Sequence, residues 1–190
     1  MATTVNNTGT KAVKLSKPTH IIVTPYDGDA KGGDVYDLED VVRDTVSISQ
    51  DDNSTTDIER ETSDTPILSI VTTGKYQFAA EVADTQSDVL KALCDFTVDT
   101  DGKMYAPSTY KTKYAEVAVV FEQGAKNIAL ILPKLQLNSK TTIESLNSNM
   151  AKVALVGTAQ LADITLKNGT STIRVPFYID PNYTIPTSQE

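Results

Sequence analysis

The chain has 190 residues, with 17 basic and 25 acidic side chains giving a formal net charge of −8, one Cys, one His and no Trp. That length suits one domain with a sizeable core, and 39% hydrophobic residues lies above the disordered regime while leaving room for extensive polar surface. The lone Cys94 excludes a disulfide framework, and 9 Gly and 8 Pro exclude a collagen-like chain.

Residues 1–18 are polar and rich in Thr, Asn and Lys without periodicity, which reads as an N-terminal arm. His20-Ile-Ile-Val-Thr is a β-branched run ended by Pro25, so a first strand is expected, followed by an exposed loop over Asp27–Asp34. Val35–Asp44 is ambiguous: Val35, Leu38, Val41 and Val42 fit helical spacing, whereas the β-branched content fits a strand. Thr45-Val-Ser-Ile-Ser alternates apolar with polar and Asp57-Ile-Glu-Arg-Glu looks like its return strand. Val46, Ile48, Ile58 and Arg60 then lie on arm strands, and Asp51, Asp52, Asn53, Ser54, Thr55 and Thr56 form the arm tip. Such a hairpin over Thr45–Glu61 has too few apolar residues to hold itself folded alone and calls for a second chain.

Pro66–Thr72 is strongly apolar, and Tyr76, Phe78, Ala80 and Val82 alternate, so a hairpin around Thr73-Gly74 is expected. Asp84–Asp88 supplies N-cap candidates, with Thr85 and Asp88 spaced as a capping-box variant, and Val89, Leu90, Leu93 and Phe96 line one side of a short helix. Asp101-Gly102 joins Asp95–Val98 to Lys103–Ala106, and Gln123-Gly124 joins Tyr114–Glu122 to Asn127–Leu132, with Pro133 breaking that ladder or marking an edge. Leu135–Leu146 continues as extended, polar-alternating chain, Lys152–Leu161 and Ser171–Asp180 are strands around Asn168-Gly169, and residues 181–190 are a C-terminal tail.

The expected fold class is mainly β, or β-rich α+β: two packed antiparallel sheets in a sandwich or barrel, one short α-helix beside them, and a long polar hairpin arm. Residues 19–180 form a single domain, with 45–61 as an extended arm between subunits. Asp27–Asp64 holds 13 acidic residues against three basic ones, a charge of −10, which leaves +2 for the remainder. Charge runs usually mark solvated faces. The sharper expectation is head-to-tail association, in which this stretch meets the mildly basic remainder of a neighbouring copy and assembly weakens as salt rises.

The chemistry of catalysis is missing. Acid-base and nucleophilic routes need several groups of matched protonation. Here His20 beside its β-branched run reads as a structural histidine, and Cys94 next to Leu93 reads as a small hydrophobe. No phosphate-cradling loop, Gly-x-Ser-x-Gly or zinc pair occurs. The Asp27/Asp29/Asp34 and Asp99/Asp101 turns lack the ligand spacing of an EF-hand, and Glu59/Glu61 lacks the aromatic platforms of a glycosidase. No enzymatic activity, cofactor or metal is expected. Apolar runs of about five residues fall far short of the roughly 18 or more that cross a bilayer, and the first residues carry no basic-then-apolar leader, so the chain is expected to be soluble where it is made, without a membrane partner. The four Asn-X-Ser/Thr sequons at Asn6, Asn53, Asn168 and Asn182 are the chance product of a Thr-rich chain. An acidic surface also repels phosphate, so groove binding to nucleic acid is not expected.

The order of elements, a polar arm at Thr45–Glu61, the apolar hairpin Ile67–Val82, a helix Thr85–Leu93 and paired strands to Asp180, resembles the major tail tube proteins of tailed bacteriophages and, more distantly, the tube protein of type VI secretion systems. The resemblance rests on element order, size, acidity and missing catalytic groups over about residues 19–180. It implies hexameric rings stacked into a virion tail tube, contacts with other tail proteins, an arm reaching the adjacent ring, synthesis in a host cytoplasm, and a lumen that passes DNA without specific binding. The acidic stretch Tyr26–Asp44 and the N-terminal arm depart from the family pattern. The competing expectation is a monomeric β-sandwich binding or capsid-decoration module.

Overall fold

The computed structural model describes residues 15, 17–60, 63–83, 86–124, 126–142, 151–166 and 171–186. The strands are β1 (His20–Asp27), β2 (Ala30–Lys31), β3 (Tyr36–Leu38), β4 (Ser47–Gln50), β5 (Ser54–Arg60), β6 (Ser63–Thr72) and β7 (Tyr76–Val82), followed by helix α1 (Ser87–Cys94). Then come β8 (Thr97–Val98), β9 (Met104–Tyr105), β10 (Lys113–Gln123), β11 (Lys126–Leu137), β12 (Lys140–Thr142), β13 (Lys152–Ala159), β14 (Ala162–Thr165), β15 (Thr172–Val175) and β16 (Tyr178–Tyr183). The protein is mainly β with one short helix: a ten-stranded antiparallel sheet and three two-stranded ones, without a closed barrel.

The centre is the β10–β11 hairpin, turned at Gly124, whose φ of 64° places it in the left-handed region that glycine tolerates best. Both faces of β10 are buried, Val117, Val119 and Phe121 in the larger core cluster and Ala118 and Val120 in a second one, which is why this stretch reads as nearly continuous apolar sequence. β1 lies beside it with Ile21 and Val23 in the first cluster and Ile22 in the second.

β11 serves both wings of the sheet. Asn127–Ile131 pairs with β16, whereas Leu135–Leu137 pairs with β13. Pro133 sits between the two pairings, where a residue without an N–H costs no ladder bond. The strand therefore runs through the proline to Leu137, beyond the break expected there. Phe78, Ala80 and Val82 of β7 and Val153 and Leu155 of β13 share one cluster with Ile21, Val23 and Val117 from the other wing, so the wings pack on a common core. Val89, Leu90, Leu93 and Cys94 of α1 belong to that cluster too.

The helix is capped differently from expectation. Its N-cap is Gln86, which makes no side-chain capping bond, while Asp84 and Thr85 lie outside the described residues. It ends at Asp95, with φ 57° and an N–H donated to the Leu90 carbonyl, and Phe96 lies past the helix, half-buried against the core.

The largest departure is the arm. β4 pairs with β7 and β5 pairs with β6, so the expected hairpins Thr45–Glu61 and Ile67–Val82 do not form. Instead one long ribbon runs out and back: Ile48 faces Phe78 and Gln50 faces Tyr76, and then Ser54 faces Thr72 and Ile58 faces Leu68. The step from Gln50 to Ser54 matches the step from Tyr76 to Thr72, so a single register carries through the interruption. The reason lies in β7, which already has β13 on one side and β4 on the other and offers β6 no free edge. Val46 and Ile48 consequently pack against the main core at the root of the ribbon, while Ile58 alone of the expected apolar arm residues is on the projecting part.

The ambiguous stretch resolves as β3, paired with β1, and a bridge from Val41 to Val82. The first half of the acidic segment thus folds back on its own sheet and is not part of an extension. The C-terminal boundary also moves, because β16 continues through Pro181 to Tyr183, opposite Asn127. β14 pairs with β15 around the expected Asn168-Gly169 turn, whose two residues fall outside the described set, as do 1–14 and 143–150.

Candidate assembly surface

The longest of the three two-stranded sheets separate from the large one is the β5–β6 hairpin. Directly paired residues of an antiparallel ladder share a face. Ile58 with Leu68 and Thr56 with Ile70 therefore line one side of the hairpin, and Thr55 with Val71 and Asp57 with Ser69 line the other. Ile58, Leu68 and Ile70 remain 45%, 52% and 47% exposed, and Val71 62%. A two-stranded ribbon is marginal in water by itself, and a run of half-exposed branched apolar side chains adds to that cost.

The ribbon is gripped where it leaves the sheet. Asp51 N–H donates to the Lys75 carbonyl at 2.9 Å, Gly74 N–H donates to Asn53 Oδ1 at 2.9 Å, and Gln77 Nε2 donates to Asp51 Oδ2 at 2.9 Å. Gln50 Nε2 adds a bond of 3.2 Å to the Gly74 carbonyl. Asp51, Asp52 and Asn53, expected at a tip, are this clasp at the ribbon's waist. Ser54, Thr55 and Thr56 begin β5 just beyond it, and the chain reverses between Arg60 and Ser63. Thr73-Gly74, expected as a hairpin turn, lies instead along the ribbon, where Gly74 is required because its backbone runs against that of Asp51 and Asp52.

Several carboxylates among the described residues are engaged by neighbouring groups. Asp99 accepts N–H bonds from Asp101 and Lys103 and the Tyr105 hydroxyl proton, and the Lys103 N–H in particular holds its carboxyl below the usual range. Its oxygens are engaged in turn chemistry. Asp29 meets Lys134, whose ammonium stands 5.6 Å and 5.2 Å from the Tyr26 and Tyr114 ring centres. Lys31 pairs with Glu116 across the first loop. Burial pushes the Cys94 thiol up, in keeping with a packed hydrophobe. His20 Nδ1 lies 3.0 Å from Asp37 Oδ1, a hydrogen-bonding distance, and its Nε2 lies 3.9 Å from Glu122 Oε1.

An open groove of about 1000 Å³ runs between the Pro25–Tyr36 loop and the outer side of α1, lined by Asp27, Asp34, Asp88 and Lys91 among others. Among the described residues no helix is long and apolar enough to cross a membrane.

No protein-family model matches the chain, and no curated protein matches it. Among solved structures, it is similar to a chain in a cryo-EM structure of the anti-feeding prophage (AFP) baseplate, 6-fold symmetrised. The similarity covers 90% of this chain and 96% of that one, at 10% sequence identity and a TM-score of 0.42.

Sequence reading missed Leu68, Ile70 and Val71 as surface residues, since their apolar run reads as core strand.

Proposed function

We propose that this chain is a structural subunit of a phage-type tail tube, with no enzymatic role, in which the β5–β6 hairpin of each copy docks on a neighbouring copy. Hexameric rings stack, and an acidic lumen lets DNA pass without holding it. The observation that carries the reading is the half-exposed apolar face Ile58/Leu68/Ile70 on a two-stranded ribbon separate from the large sheet, which no other strand among the described residues pairs with. Covering three such half-exposed side chains stabilises an interface by about 1 kcal/mol each, and repetition around a ring multiplies the gain. Closure of rings would also use edges such as β4, a short polar strand paired on one side only. A net charge of −8 per copy, summed over many copies, repels a phosphate backbone at close range.

The experiment is sedimentation velocity with negative-stain imaging over a concentration series, on the full chain and on a variant whose residues 52–74 are replaced by a short turn. The continuous register allows β4 and β7 to be rejoined directly. Rings or tubes from the full chain are expected, and from the shortened one monomers that lose only the hairpin's share of the strand signal and still melt cooperatively. A full chain that stays monomeric at every concentration, with and without preformed tail assemblies as initiator, overturns the proposal in favour of a monomeric binding or decoration module.

A further inference from the structure

We propose that His20, Asp37 and Glu39 form a binding site for a divalent transition-metal ion of the zinc class, oriented from behind by Glu122. The site is built by register. His20 is paired with Val120 on β10, and Asp37 is paired with Ile22 on β1, so alternation brings His20, Asp37, Glu39 and Glu122 to one face of three neighbouring strands. One donor atom from each of His20, Asp37 and Glu39 lies within 4.8 Å of the others. The donor set is mixed, an imidazole nitrogen with two carboxylates, which suits zinc, cobalt or manganese better than calcium.

The two ring nitrogens have different neighbours. Nδ1 faces Asp37 at 3.0 Å, close to the roughly 3.3 Å edge of a tetrahedron with bonds of about 2.0–2.1 Å, and Nε2 points towards Glu122 at 3.9 Å. A metal taken by Nδ1 leaves Nε2–H on the side of the Glu122 carboxylate, which closing from 3.9 Å to hydrogen-bonding distance would make the outer partner that fixes the tautomer of a metal-bound histidine. Glu39 is exposed and free to swing inwards, while His20 and Asp37 are held on strands with side chains 18% and 24% exposed.

Charge argues the same way. Asp37, Glu39 and Glu122 place three carboxylates around a single imidazole, and no Lys or Arg among the described residues is ion-paired with any of them, whereas Glu116, Glu81 and Asp95 each have a lysine. A protonated imidazole would offset one of the three charges. A dication bound through neutral His20 offsets two and pins the acidic β3 segment to β1 and β10.

The test uses untagged full-length protein freed of metal by chelation, and is independent of ring assembly. Cobalt(II) titration is expected to produce a visible ligand-field band saturating at one ion per chain, and zinc is expected to displace it and raise the melting temperature. His20→Ala should abolish both effects. Glu39→Gln, an exposed change that leaves the fold intact, should weaken binding about tenfold or more. No band and no thermal shift in the wild type, or the same response in His20→Ala and Glu39→Gln as in the wild type, overturns the proposal.

Discussion

Gly74 passes so close to Asp51 that a Cβ built on residue 74 would fall 1.7 Å from the Asp51 carbonyl oxygen. The obstacle is backbone, so no rotamer change relieves it. Gly74→Ala must therefore part the two chains at the waist of the ribbon and lose the Gly74 to Asn53 and Asp51 to Lys75 bonds. The expected cost is about 1–3 kcal/mol in urea denaturation, with assembly lost because the hairpin no longer leaves the sheet at its native angle.

The apolar face of the hairpin separates folding from assembly. Ile58 and Leu68 are about half exposed in the single chain, so Ile58→Asp together with Leu68→Asp should leave the melting temperature within about 2 °C of the wild type. In an assembled ring the same pair would bury two unpartnered carboxylates, which a docked interface cannot tolerate. Sedimentation velocity is expected to show monomers only. A double variant that still forms tubes would place the inter-subunit contact elsewhere.

Lys113 closes the C-terminal end of the helix. Its ammonium lies 2.7 Å from Asp95 Oδ1 and donates to the Ala92 carbonyl, a cation where the helix dipole favours one. Burial works to raise the Asp95 carboxyl, but the Lys113 ammonium and the Lys111 N–H outweigh it and hold it below the usual carboxylate range. A folded-state value below the unfolded one gives stability that is present at neutral pH and lost as pH falls through the folded value. Lys113→Met should cost about 1 kcal/mol at pH 7 by chemical denaturation. The gap to the wild type should narrow below about pH 4, where Asp95 in the unfolded chain is already protonated.

How much of this was readable from sequence depends on whether a strand's partner was local. β10 and β11 meet across a turn at Gly124, and β8 and β9 meet at Gly102, so adjacent apolar runs with a glycine between them sufficed. The ribbon failed for the opposite reason. Thr45–Ser49, Asp57–Glu61, Pro66–Thr72 and Tyr76–Val82 can be paired as two successive hairpins or as one nested ribbon, and local propensity is the same in both. The choice is made by β13, about 75 residues downstream, which occupies one edge of β7 and commits the other to β4. The proposed metal-donor group is similarly hidden, since Asp37 and Glu39 lie two residues apart but reach His20 only through the pairing of β3 with β1.

Tyr183 is the phenol expected to set the alkaline limit of the fold. It lies opposite Asn127 at the end of β16 and packs against the second core cluster of Ile22, Ala118, Val120, Ala129 and Ile131. Burial, then the Glu116 carboxylate, with smaller contributions from Tyr178, Asp37 and Asp180, pushes its phenol up to about 12. An acid weaker in the folded chain than in the unfolded one contributes fully below the unfolded value of about 10 and loses that contribution as pH rises through the folded value. Between about pH 10 and 12 the unfolded chain releases the proton and the folded chain does not, so stability should fall across that window. Tyr183→Phe keeps the ring and removes the ionisation, and should flatten the fall. Ultraviolet titration at 295 nm should show one late-ionising phenol in the wild type that is absent from the variant. Identical alkaline profiles in the two proteins would assign the limit to Tyr26, Tyr36 or Tyr178, whose phenols burial also raises.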